Sequence, residues 1–426
     1  MPTPEDFRLG VLVAILLLFI GAFWKRALLP CAYLAMINVR PGLYYPWLAN
    51  IRAELILAVF GLVMILITPD FVKLLSPRRS RIVGAMLVLM VVTFASLAQA
   101  FDRLVAWNWV YIQVLPDIML VALILVFCKD ERDIKLLFWT FGLVTAWLAY
   151  EPIYRYMSGM VVDSMGDFDY AVASTGIGAG HTGLAHHLLH GMPFLWYASM
   201  ESKNMVGKAC GLGLFAFCFW GVGVSGSRGG LVGLVILLFL ISVFSKQRAL
   251  MIPAAFAATV AMMAVLGAEY IGRMETILQL GSDGSSSQNR IEGLISGLEM
   301  LIKKPLLGVG PGCYPVVRKA WFDWGLWAHN HYGQLAGELG VLGVIAWFTF
   351  AYQYIKKSWV MRREMLNEGW IKGALTAILV TTAVRLALGM FDHSVYKFIW
   401  YFMAAIVVVT EGLRTKEAAQ GTRVNE

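Results

Sequence analysis

The chain has 426 residues, of which 59% are apolar and 15% charged, with a net charge of +8. Its mean hydropathy of +0.69 excludes a water-soluble domain, and apolar runs of roughly 17–25 residues match a bilayer core about 30 Å thick. The same runs exclude an outer-membrane barrel of short alternating strands, and the basic residues, gathered in short interhelical loops, set orientation and give no reason to expect nucleic acid.

The expected fold is all-α, a polytopic integral membrane protein in which each helix satisfies its own backbone. Candidate spans run over 9–24, 27–43, 52–69, 81–100, 108–128, 134–157, 183–200, 209–226, 229–244, 250–267, 331–355, 371–389 and 395–412. The first is followed by Lys25 and Arg26 in place of a cleavage site, so it reads as retained. The second is interrupted by Arg40 and Pro41, which favours about twelve spans over thirteen. Residues 1–267 then carry the N-terminal spans, 268–330 a large outward loop with short helices, 331–412 the C-terminal spans, and 413–426 a disordered cytoplasmic tail. The basic stretches 73–81, 129–135, 201–208, 245–248 and 356–364 alternate as cytoplasmic loops should. No internal repeat is evident, and the five cysteines show no CxxC spacing, so no disulfide framework is expected.

All seven histidines fall in the outward loops or helix ends near them. The long outward loop contains GSDGSSSQN (281–289), a flexible connector. RIEGLISGLEMLIKK (290–304) places Ile291, Leu294, Ile295, Leu298 and Leu301 on one face, an amphipathic helix expected against the membrane or the bundle. PLLGVGPGCYP (305–315) is turn-rich and leads to AHNHYGQLAGELGVLG (328–343).

Several residues carry chemistry. Arg228, in the outward turn SGSRGG (225–230), either snorkels to headgroups or forms an anion site, since its planar fork matches phosphate oxygens. Arg290 is either a solvated charge or a second phosphate clamp, and Lys303, Lys304, Arg318 and Lys319 add positive potential to the same loop. His329 and Asn330 stand at the mouth of the helix opening at His331, as cap residues or as a site where the helix dipole favours a neutral, proton-accepting imidazole. Gly337, Gly340 and Gly343 permit close helix packing, while Glu338 needs a partner or a function in lipid. His186 and His190 have the i, i+4 spacing of a metal site but no accompanying carboxylate. Asp167 and Asp169 form a DxD pattern. Glu151 and Arg155 are spaced to pair, though Arg155 also suits the site. Arg385 and Asp392 read as a structural ion pair. GIGAG (176–180) and GVGPG (308–312) lack the P-loop ending.

His329-Asn330, nine residues, Gly340, two residues and Gly343 match the H[NSQ]-x9-G-x-x-G pattern of the O-antigen ligases, although Val344-Ile345-Ala346 stand where a Thr-Arg-Gly often follows. SGSRGG resembles the arginine turn of that superfamily's ligases and polymerases. RIEGLISGLEMLIKKPLLGVGPG resembles its stretch from an arginine through an amphipathic helix to a Pro-hydrophobic-Gly-x-Gly turn. The resemblance covers roughly residues 180–345. It implies a GT-C-like glycosyltransferase of the bacterial inner membrane, moving a glycan from undecaprenyl diphosphate to a sugar hydroxyl of lipid A-core on the periplasmic side, without metal, nucleotide or other cofactor. The family's arginines and histidine map onto Arg228, Arg290 and His329.

The chemistry of those residue types agrees. Guanidinium groups stabilise charge developing on a departing diphosphate, and a poor hydroxyl nucleophile needs a base, worth about 10²–10⁴-fold. His329 suits that role, with Asn330, His331, Arg155, Arg318, Lys303, Lys304 and Glu338 as supporting candidates, and direct attack inverts the anomeric centre. The partners implied are the lipid-linked donor, lipid A-core and membrane lipids. The rival readings are a polymerase or a protein O-oligosaccharyltransferase of the same superfamily, a metal-dependent transferase using Asp167 and Asp169, and, in another class, a polysaccharide or lipid transporter.

Overall fold

The computed structural model describes the chain except residues 1–2, 70, 77–78, 161–162, 166–167, 171–179, 276–285, 324, 366–368 and 425–426. Helix dominates, joined by one short antiparallel hairpin, Asp163–Met165 on Phe168–Tyr170. The protein is an all-α polytopic membrane protein: among the described residues 8 helices are long and apolar enough to cross a bilayer, Arg81–Ala98, Arg103–Phe127, Glu131–Met157, Met205–Val224, Arg248–Leu266, His331–Glu364, Trp370–Leu388 and Phe398–Thr415. Ala53–Leu66 and Arg228–Phe244 are apolar but shorter. The runs expected at 9–24, 27–43 and 183–200 fold as Pro4–Gly21, Leu28–Val39 and His181–Met200. Charges at Glu5, Asp6 and Arg8 keep the first outside that group, its 12-residue length the second, and the histidines at 181, 186, 187 and 190 the third. The five cysteines are unbridged.

The contacts divide the chain into two compact units that interleave in sequence. The first comprises residues 1–63, 127–278 and 361–385. In it the Pro4–Gly21 and Glu131–Met157 helices run antiparallel, because Lys25 meets Asp133 at 3.0 Å at one end and Arg8 meets Glu151 at 2.7 Å at the other. Small residues let the His181–Met200 helix nest beside them: a Cβ on Gly142 would strike Leu195, and one on Gly191 would strike Thr145. His186, His187, His190 and Arg385 are all buried in this unit. Arg385, expected in an ion pair, sets Nη1 2.5 Å from Nε2 of His190.

The second unit comprises residues 64–126, 279–360 and 386–426. Ser80 donates to Glu411 at 2.7 Å, Lys357 pairs with Glu411 at 2.7 Å, and Arg79 donates to the Leu125 carbonyl at 2.9 Å. Those contacts mark one end. The other is marked by the Phe101 N–H on the Val309 carbonyl at 2.8 Å and the Ser96 hydroxyl on the Leu307 carbonyl at 2.6 Å. Arg79, Ser80 and Lys357 thus lie at the far end of this unit from residues 307–309. Past Glu411, where a disordered tail was expected, the Phe398–Val424 helix continues, as the helix-forming Lys416-Glu417-Ala418-Ala419-Gln420 allows.

A broken helix organises the outer end of this unit. Gly340, at φ 65° and ψ −166°, interrupts the His331–Glu364 helix, a conformation open to glycine alone. The break strands carbonyls on one side and N–H groups on the other, and the 305–310 loop takes them up. The Val309 and Gly310 N–H groups donate to the carbonyls of Gly337 and Glu338 at 2.9 and 3.0 Å. The carbonyls of Pro305 and Leu306 accept from Val341 and Leu342 at 2.8 and 3.2 Å. Each unmade backbone bond in hydrocarbon costs several kcal/mol, so the loop and the break stabilise each other.

The Ser286–Lys303 helix crosses the half-helix before the break through glycines. A Cβ on Gly297 would overlap the Gly333 carbonyl, and one on Gly333 would stand 2.6 Å from the Gly293 carbonyl oxygen. The buried face of this helix is therefore Gly293, Ser296, Gly297 and Met300. Of the two seats expected for the apolar face, the membrane or the bundle, the bundle crossing is taken by small side chains, and Ile291, Ile295 and Leu298 point outward, at 56%, 49% and 45% exposure.

Candidate active site

The mouth of the His331–Glu364 helix sends three consecutive side chains to different tasks. Asn330 is its cap: Oδ1 accepts from the N–H groups of Tyr332 and Gly333, both at 3.0 Å, satisfying two orphan donors of the first turn. His331 turns inward, its N–H donating to the Gly389 carbonyl at 2.6 Å and Nδ1 lying 3.0 Å from the Ser394 hydroxyl. Its ring packs against Trp347 and Trp400, with centroids 4.5 and 5.7 Å away. His329 turns outward. It is exposed and holds φ 44°, a left-handed conformation that a non-glycine residue keeps only where its surroundings impose it.

Four consecutive residues, FDHS at 391–394, face His329 or hold the groups near it. The Arg290 guanidinium lies over the Phe391 ring, 5.0 Å from its centroid. The His393 ring meets the His329 ring edge to face, 5.4 Å away. Ser394 holds His331, and Asp392 faces His329 electrostatically. Withdrawal from water by the surrounding wall pushes the His329 imidazole below its ordinary value of 6.5; Asp392 opposes that, and Arg290 and Arg318 reinforce it. The net direction is a neutral, proton-accepting ring at neutral pH.

Other residues of this unit shape the site without entering it. Buried Arg318 reaches the Trp327 carbonyl at 3.5 Å and Glu292 at 3.5 Å, tying the segment before His329 to the Ser286–Lys303 helix. Lys303, expected to add to the site's potential, lies over the Trp321 and Phe322 rings at 4.5 and 5.3 Å. Lys304 is exposed at the helix end. Glu338 finds the partner its depth demanded: its carboxylate accepts from the Tyr314 N–H and the Gln334 amide, both at 3.3 Å. It pins the 308–314 loop to the half-helix.

In the other unit, Arg228 begins the Arg228–Phe244 helix behind Ser227, whose hydroxyl caps Gly230 at 3.0 Å. Arg273, which the sequence reading passed over, donates to the Gly226 carbonyl of the same turn at 2.9 Å. Arg155 pairs with Glu151 at 2.9 Å, and Arg8 shares that carboxylate. Among the described residues no group of three or more His, Cys, Asp or Glu is placed to hold a metal ion. Asp167 and most of GIGAG lie outside the described residues, while Asp169 stands opposite Ser164 in the hairpin. The FDHS contribution was missed because its signal is a short polar interruption between two apolar spans, far in sequence from His329.

No curated protein matches the chain. Residues 213–348 match the family model described as O-antigen ligase, a stretch that includes Arg228, Arg290, the glycine crossing, His329 and the break at Gly340. That match, over about a third of the chain, supports membership of the O-antigen ligase/polymerase superfamily.

Proposed function

We propose that the protein is an O-antigen ligase of the inner membrane, transferring a glycan from undecaprenyl diphosphate to a sugar hydroxyl of lipid A-core at the periplasmic face. One observation carries this reading: an exposed imidazole, held in a left-handed conformation at the mouth of a broken membrane helix and biased toward its neutral form, with Arg290 acting on it within one unit. Basic segments at the opposite end of that unit support an outward site through the positive-inside rule.

In the reaction, the acceptor hydroxyl oxygen bonds to the anomeric carbon as the carbon–oxygen bond to the diphosphate breaks. The diphosphate leaves with the electron pair, and the hydroxyl proton moves to a ring nitrogen of His329. A single displacement of this kind inverts the anomeric centre. Arg290 meets the charge that develops on the leaving group, an interaction that strengthens toward the transition state. Phe391 keeps the guanidinium plane in place. Arg228, in the other unit, stands in a turn where Gly226 takes φ 60° and Arg273 braces the carbonyl, and its planar fork suits a phosphate group. The neutral bias of His329 matters because an imidazolium cannot accept the proton.

The polymerase reading shares the arginines and is distinguished by product. Purified protein in liposomes, supplied with undecaprenyl-diphosphate glycan and lipid A-core, is expected to label lipid A-core. Lengthened lipid-linked glycan without labelled core would make it a polymerase.

A further inference from the structure

His393 belongs to no motif that pointed to the site, yet its ring is firmly braced. It lies flat on Trp327, with centroids 4.9 Å apart and planes 9° apart. Trp327 in turn leans on Trp109 at 4.7 Å, and Trp109 is fixed where it fills the space a Cβ on Gly312 would need. The outer edge of this stack meets His329 at 5.4 Å and 74°. Among the described residues the His329 side chain has no hydrogen-bond partner, and its ring contact is His393. An exposed imidazole has rotamers to choose from, so whatever fixes its ring nitrogen must act through that contact.

We propose that His393 is a positioning residue for the transfer reaction, holding the His329 ring edge to face so that a ring nitrogen reaches the acceptor hydroxyl. The inference rests on the reading of His329 as the base. The charged groups facing His329 are Asp392, Arg290 and Arg318, and Asp392 Oδ1 also stands 3.9 Å from Nδ1 of His393. Positioning through ring shape needs the stack and not the charge, which separates it from a proton relay. A reacting group displaced by about 1 Å loses on the order of 10²-fold in rate, so a ring that merely narrows the rotamers has a measurable effect.

The test uses the full-length protein in liposomes, comparing His393→Ala, His393→Phe and Trp327→Leu for kcat, donor KM and the pH dependence of kcat, with thermal melting in detergent as a folding control. His393→Ala and Trp327→Leu are expected to lose about tenfold or more in kcat at unchanged donor KM, within the ceiling for misplacement. His393→Phe, which keeps a flat ring, is expected to stay within about threefold of wild type, with its acid limb unmoved. Wild-type kcat in a folded His393→Ala protein overturns the proposal, as does a His393→Phe protein as impaired as His393→Ala. If His393→Ala does not fold, the Phe and Trp327→Leu variants decide by the same criteria. A His329→Ala control separates the two readings. Retained transfer there removes the base itself, whereas an inactive His329→Ala beside an unaffected His393→Ala removes only the positioning role.

Discussion

Arg290 stacks on Phe391, its guanidinium carbon 5.0 Å from the ring centroid, so the cation beside His329 is held by a residue a hundred positions away in sequence. Planarity is part of that arrangement: a lysine keeps the charge and loses both the stack and the two-pronged grip on phosphate. Arg290→Gln is expected to lower kcat by about 10²–10³-fold, the range for removing one preorganised donor from a developing anion. Arg290→Lys should recover only part of it, and Phe391→Leu should produce a smaller loss with the arginine intact. Steady-state kinetics on liposome-embedded protein measure all three.

The pH dependence follows from the direction of the His329 shift. The folded imidazole sits below its ordinary 6.5, so the neutral base persists to lower pH, and activity is lost as pH falls through that lowered value. Asp392 favours the protonated form; Asp392→Asn therefore moves the acid limb of kcat to still lower pH. Arg318 disfavours it, so Arg318→Gln moves the limb upward. Opposite displacements in the two variants are the expected result of a pH–rate series.

Asn330 and His331 should separate from His329 by kind of effect. Asn330→Ala removes the helix cap, about 1 kcal/mol, and lowers the melting temperature, while Asn330→Ser restores most of it. His331→Phe keeps the ring in its Trp347 and Trp400 surroundings and should retain turnover far better than His329→Phe. Loss of activity in a well-folded His331→Phe protein would reverse the ranking.

The membrane architecture was legible because lipid leaves the backbone few options: hydropathy located the long spans, and basic loops ordered them along the second unit. Arg228, Arg290 and His329 stood out in the sequence because permanent cations and an imidazole are costly at an apolar boundary. The roles of Asn330 and His331 were not separable, since a cap and an inward ring differ by one residue of helix phase. The apolar stripe of the Ser286–Lys303 helix was legible, but which face meets the bundle was not, because periodicity reports which side chains are apolar and not that glycines permit the closer approach. FDHS stayed hidden because its partners are contacts between stretches far apart in sequence.

The glycine crossing sets where Arg290 stands relative to His329. Gly297→Val inserts bulk into the Gly333 carbonyl and should cost at least the roughly 1–3 kcal/mol of an overpacked core. Gly340→Ala strains a backbone at φ 65° and crowds the Leu306 carbonyl carbon at 2.6 Å. Both should lower the melting temperature in detergent and activity together, in contrast to Arg290→Gln, which should lower activity alone.

The central claim is that a neutral His329 takes the acceptor's proton. Its most direct measurement is single-turnover transfer to lipid A-core by folded His329→Ala protein saturated with lipid-linked donor. The expected result is a rate lower by about 10²–10⁴-fold with donor binding preserved. Transfer at the wild-type rate would contradict it.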